Sequence, residues 1–165
     1  MSAAVALWRI AVDAPDYTTD DTTGAGAKAT GGRWNRKGRA VLYTSRHMSL
    51  ACLETVVHLK TGSLPLNRYL VRIELPAAAW AARVEHSADS LPVGWDALPE
   101  GRVSLDIGDA WLAESASPVM VVPPVIVPEE HNVLVNPAHP LARGVKARKL
   151  RKWLYDARLV GVGVG

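Results

Sequence analysis

The spacing of apolar and polar positions changes several times along the chain, and each change marks an element. VALWRIAV (residues 5–12) reads as a first strand, interrupted by Arg9. Residues 13–32 are rich in Asp, Thr, Gly and Ala and read as a long loop. Loops of that length inside a compact domain are usually functional or mobile. After GGRWNRKG, residues 40–44 have the β-branched and aromatic character of a short strand. From His47 to Lys60 the spacing turns helical, with Met48, Leu50, Cys52, Leu53, Val56, Val57 and Leu59 covering most of the wheel. Only a narrow stripe of Ala51, Glu54, Thr55 and His58 remains. A helix apolar nearly all round is normally buried, so a carboxylate on its one polar stripe must face a cation, a donor or a cleft.

YLVRIEL (69–75) alternates, as a half-buried strand does. Residues 76–104 are Ala- and Pro-rich and fit no single period. GDAWLAES (108–115) reads as a short helix, and VMVV (119–122) as a buried strand that VIV (125–127) could continue after Pro123-Pro124. NVLVNP (132–137) reads as a strand stopped by Pro137. The segment VKARKLRKWLYDARL (145–159) has helical composition, while WLY within it suits a closing strand equally well. Residues 160–165 (VGVGVG) read as a frayed end.

With 165 residues the chain is long enough for one domain with a proper core. An apolar share of 48% against 21% charged residues is a globular balance. No apolar run is long enough to span a bilayer, and the first residues lack the basic region of a signal peptide. A single cysteine, Cys52, excludes a disulfide framework or a cysteine-based zinc site within one chain. The expectation is a cytoplasmic protein without cofactor or membrane contact. Its net charge of +3 suits an anionic ligand without requiring one.

Phenylalanine is absent and tryptophan occurs six times. Five of the tryptophans read as core; Trp34 stands apart, between Arg33 and Asn35. Gly31 and Gly32 permit close backbone approach to a ligand, and arginine offers a fork of donors suited to phosphate. The same GGRWN stretch also fits a turn in which Trp34 plugs the core edge and Arg33 is solvated. It is neither a Walker loop nor a dinucleotide fingerprint. Tyr43 alone reads as a core tyrosine, and Glu54 as a helix-surface glutamate with His58 one turn on. The five histidines show no metal-ligand spacing. No nucleophile elbow occurs, and Cys52 lies on the apolar side of its helix. The basic run from Arg143 to Lys152 reads as a solvated face or a contact with an acidic protein rather than direct nucleic-acid binding.

Taken in order, GGRWNRKGRAVLYTS, SLACLETVVHL, GDAWL, NVLVNPAHP and YDARL resemble the RES-domain toxins of bacterial toxin–antitoxin pairs. The resemblance runs from about Trp8 to Leu159, so that residues 1–165 form a single RES domain with 160–165 as its tail. It implies a mixed α/β (α+β) fold of the ADP-ribosyltransferase kind, with surrounding helices on a twisted, split β core. It also implies an enzyme that depletes NAD, its substrate, by cleaving the nicotinamide–ribose bond as a glycohydrolase or phosphorylase. The partner it implies is an Xre-type helix-turn-helix antitoxin, through which alone the toxin meets DNA; a homodimer is compatible with it. Two alternatives stay open: a weakly active or inactive homologue serving as an antitoxin-binding module, or an ADP-ribosyltransferase acting on a protein.

By the same resemblance Arg33, Tyr43 and Glu54 are the catalytic residues, with Gly32, Trp34, Asn35, Ser45 and Asn136 as substrate contacts. Arg33 would meet the diphosphate, Trp34 would wall the pocket and Asn35 would fix the loop. Tyr43 would lie against nicotinamide, and Glu54 would stabilise an oxocarbenium-like ribose. Nicotinamide leaves neutral, so no strong general acid is required. The family's serine in a Val-Pro-Ser stretch corresponds here to Pro124, which is a departure from the pattern.

Overall fold

The computed structural model describes residues 3–59 and 64–159. Lys60, the expected end of the first long helix, and the 160–165 tail lie outside the described residues. Seven strands form one sheet in the order β4-β5-β6-β2-β1-β3-β7. In chain order they are β1 (Val5–Val12), β2 (Leu42–Ser45), β3 (Arg68–Leu75), β4 (Val84–Glu85), β5 (Val119–Val122), β6 (Asn132–Val135) and β7 (Lys146–Lys152). Every neighbouring pair is antiparallel except β4 with β5.

One half of the sheet is built on the long β1–β3 ladder, in register from Val5↔Leu75 to Val12↔Arg68. The other half pairs β2 with β6 and β6 with β5. The halves meet through the register pair Trp8↔Ser45. The sheet is therefore pinched between β1 and β2, and this is where the split of the core falls.

Alternation sorts the side chains onto two faces. On one, Leu7, Leu42, Val71, Ile73, Val121, Val133 and Val135 form a core cluster with Ala79 of α3 (Ala77–Ala81). On the other, Met120, Val122 and Leu134 pack with Trp34, Trp95, Trp111 and Leu112. Trp111 and Leu112 come from α4 (Arg102–Glu114), and α2 (Met48–Val56) lies against β1 and β2. β5 is apolar throughout because both of its faces are covered.

Four expectations need correction. The 13–32 stretch contains a short helix, α1 (Ala25–Thr30), bounded by Gly24 and Gly31, both in the left-handed region. α4 begins well before residue 108, and Gly108 sits inside it where the helix meets another backbone. Residues 125–127 do not extend β5, because Pro123 and Pro124 remove its ladder donors. The C-terminal basic run is the edge strand β7, while WLY lies just beyond it.

Candidate active site

The GGRWN loop is locked from three sides. Gly32 N–H donates to Asn35 O at 2.9 Å and closes the turn. Asn35 is wholly buried, and its Nδ2 donates to the carbonyls of Ala27 (2.9 Å) and Arg39 (3.0 Å), with a longer contact to Arg36 O at 3.3 Å. Its Oδ1 accepts from Tyr43 Oη at 2.7 Å, and the same hydroxyl accepts from Trp34 N–H at 3.0 Å. The phenol thus both donates to and accepts from the loop it supports. Burial pushes its pKa up strongly, with the Trp34 N–H acting against that shift. Gly32 is required here, since a Cβ would stand 2.8 Å from Tyr43 Oη.

α4 supplies the second clamp. A Cβ on Gly108 would fall 1.7 Å from Trp34 O, so the helix and the loop backbone are in direct contact. One residue on, Asp109 Oδ1 accepts from Arg36 N–H (3.1 Å) and its Oδ2 from Arg36 Nη1 (2.7 Å). Arg36 Nη2 reaches Asp106 at 2.7 Å. Arg33 itself donates Nη1 to Trp95 O (3.1 Å) and Ala97 O (2.9 Å). One edge of its guanidinium is therefore fixed, and Nε and Nη2 have no hydrogen-bond partner among the described residues. A planar fork held this way keeps two donors in one orientation.

Glu54 lies at the other end of β2. Its Oε1 accepts from Asn132 Nδ2 at 3.0 Å, and Asn132 Oδ1 accepts from Ser45 Oγ at 2.7 Å. Ser45 and Asn132 are direct register partners on adjacent strands, so the relay needs no unusual geometry. The partner of Glu54 is thus Asn132, whereas His58 is exposed and makes no bond to it. α2 is further tied down by Tyr155, whose Oη donates to Thr55 Oγ1 at 2.7 Å. Burial raises the pKa of the Cys52 thiol on this helix, which leaves it a poor nucleophile.

Tyr43 and Ser45 are two residues apart on β2, hence on the same face and about 7 Å from each other. The loop cluster (Gly32, Asn35, Tyr43, with Arg33 beside it) and the carboxylate cluster (Ser45, Asn132, Glu54) are the two ends of that span. Arg33 and Glu54 do not touch; β2 joins them. Three expected substrate contacts serve the fold instead: Asn35, wholly buried, spends its side chain on Ala27, Arg39 and Tyr43, and Trp34 and Asn136 are likewise enclosed. The Trp34 ring is 3% exposed and belongs to the core, so it supports the loop from beneath rather than walling a pocket. Asn136 is 2% exposed, with Nδ2 donating to Ser115 Oγ (3.3 Å) and Oδ1 accepting from Ala138 N–H (3.1 Å), and it ties α4 to β6. Pro124 is buried just after Val122, the register partner of Asn132.

Sequence reasoning passed over Asn132, Asp109 and Tyr155. The signal for the first was available in NVLVNP, whose leading polar residue faces the same side as Leu134. Cavities of about 410 Å³ beside Thr22, Val135 and Arg143 and about 390 Å³ beside His86, Glu129 and His131 include none of Arg33, Tyr43 and Glu54. No group of three metal-ligating side chains occurs among the described residues, and no helix there is long and apolar enough to cross a membrane.

Residues 6–157 match the RES domain. The chain belongs to the RES-domain family. The RES domain is ADP-ribosyltransferase-like, in keeping with the pinched sheet and its helices. The chain is 57% identical over 154 residues to the Prs ADP-ribosylating toxin of Sphingobium sp. (strain YBL2), covering 93% of this chain and 96% of that protein. It is 37% identical over 123 residues to Toxin Res of Yersinia enterocolitica, covering 74% and 79%. To Toxin Res of Pseudomonas putida it is 34% identical over 155 residues, covering 93% and 98%. This RES protein thus stands among relatives named as toxins.

Proposed function

We propose that this RES protein is a toxin that cleaves the nicotinamide–ribose bond of NAD and passes the ADP-ribose to a protein, with water as acceptor when no protein is bound. The observation that carries the reading is the fixed carboxylate: Glu54, oriented by Asn132, at one end of a short strand whose other end anchors the Arg33 loop. One ribose separates the scissile carbon of NAD from its first phosphorus. Tyr43 and Ser45, which anchor the loop and the carboxylate cluster, stand about 7 Å apart on β2.

In this reading the open edge of the Arg33 guanidinium grips the diphosphate. Gly32 lets the backbone come close, and Tyr43, bonded to the same loop, supports the diphosphate end. As the C–N bond lengthens, the electron pair leaves with the pyridine ring and positive charge grows on the ribose. Glu54 stabilises that charge through the oxygen that Asn132 does not occupy. The ring departs neutral, so no acid is needed. The acceptor then attacks the electron-poor carbon and loses a proton.

Transfer to a protein is favoured over hydrolysis alone by the name of the Sphingobium relative, whose toxin modifies Prs. An Xre-type antitoxin that covers the Arg33 loop and Glu54 is the expected partner. The test is to incubate the protein with NAD, with and without Prs, and to identify products by mass. Glu54→Gln keeps shape and removes charge. Parental nicotinamide release by that variant would exclude the mechanism.

A further inference from the structure

Val93 is 98% exposed and Leu98 is 77% exposed, and both stand on the single loop to which Arg33 is bonded. The loop is not loose. Its other two large apolar residues, Leu91 and Trp95, are 8% and 6% exposed and belong to the core. Trp95 N–H donates to Pro92 O (3.3 Å) and Ala97 N–H to Gly94 O (3.2 Å), making two successive turns, with Gly94 in the left-handed region. Arg33 Nη1 then bonds the carbonyls of Trp95 and Ala97. Two aliphatic side chains are thus held in solvent by a backbone fixed through the very residue assigned to the donor substrate. Scattered exposed apolar residues are ordinary, but a rigid pair at the rim of a reaction site is what an interaction surface needs.

We propose that Val93 and Leu98 are the docking tips for the acceptor protein, an inference that rests on the protein-transfer reading above. Asp96, between the two tips in the chain, and Glu100, two residues past Leu98, are exposed and form no ion pair among the described residues. The matching acceptor surface is therefore an apolar depression edged by lysine or arginine. A second copy of this chain fits poorly, because the two acidic borders would face each other. Water as acceptor needs neither tip.

The experiment compares the parent, V93S/L98S and the conservative V93I/L98M with NAD as donor. Nicotinamide release is followed without protein acceptor, and ADP-ribose incorporation into Prs from the Sphingobium relative's organism is followed by intact mass. The serine pair is expected to release nicotinamide within twofold of the parent while losing transfer by about tenfold or more. The V93I/L98M pair is expected to retain transfer. Equal transfer by all three proteins would overturn the assignment. So would a parallel fall of both activities, which would place the loop's effect on Arg33. Intact transfer with weakened antitoxin binding would also overturn it, giving the tips to the antitoxin. A parent that releases nicotinamide yet leaves Prs unmodified would instead sink the protein-transfer reading itself, and the docking assignment with it.

Discussion

Asn132 Nδ2 donates to Glu54 Oε1 at 3.0 Å, across 78 positions of sequence, and its own carbonyl accepts from Ser45 Oγ. The carboxylate is therefore aimed by the sheet rather than by its own helix. A hydrogen bond to a charged group contributes about 1.5–3 kcal/mol. Asn132→Ala should thus lower kcat for nicotinamide release by roughly 10- to 100-fold, because it frees Glu54 from its working orientation. KM for NAD should move little, as Asn132 makes no phosphate contact in the proposed pose. Asn132→Asp sets one carboxylate against another and should be worse than alanine. Steady-state kinetics of the three proteins decide, and a change in KM alone would remove Asn132 from this role.

Arg33 divides its guanidinium between two tasks. Nη1 holds the Trp95 and Ala97 carbonyls, and Nε and Nη2 have no partner among the described residues. A lysine has no planar fork and cannot do both at once. Arg33→Lys and Arg33→Ala should both weaken NAD binding by about tenfold or more, the loss expected for a charge-assisted contact. Calorimetric titration of the Glu54→Gln protein with NAD, with and without the Arg33 change, measures this without turnover. Equal affinity would exclude the phosphate grip.

Gly108 offers a test of the clamp between α4 and the loop. A methyl group there would lie 1.7 Å from Trp34 O, a backbone atom that cannot swing aside. Overpacking of this kind costs about 1–3 kcal/mol or more. Gly101 is the control, because a Cβ there would meet only Ala97 Cβ at 3.8 Å. Gly108→Ala should lower the urea midpoint clearly, and Gly101→Ala by less, since its cost is only a weaker N-cap to α4. Nicotinamide release per folded molecule should also fall in Gly108→Ala alone, since the Arg33 loop must shift.

How much of this was legible beforehand depended on whether an element shows its period. β1, β3, β5 and β6 carry alternating or continuous apolar runs and lie where those runs are. α1 is short, with glycine at both ends, and its stability comes from packing that no local rule displays. The start of α4, RVSLDI, places apolar residues every second position and so mimics a strand. β7 has no apolar face because it is the sheet's open edge, covered with lysine and arginine. Within the site, Gly32, Arg33 and Tyr43 stood out because loop and strand are close in sequence. Asn132 and Asp109 did not, since each meets its partner only after the chain has folded back.

The Tyr43 phenol supplies a pH dependence. Burial raises its folded-state pKa well above the ordinary value near 10, while the unfolded chain keeps that ordinary value. Above pH about 10 the unfolded state loses this proton and the folded state retains it, so the unfolded state binds fewer protons and stability falls as pH rises. The contribution is fully present below that pH and is lost at about 1.4 kcal/mol per pH unit as the folded pKa is approached. Tyr43→Phe should be less stable at pH 8, having lost the bonds to Asn35 and Trp34, yet its stability should fall less steeply between pH 10 and 11. Urea midpoints of both proteins across that range provide the measurement. Parallel slopes would show that some other group governs alkaline unfolding.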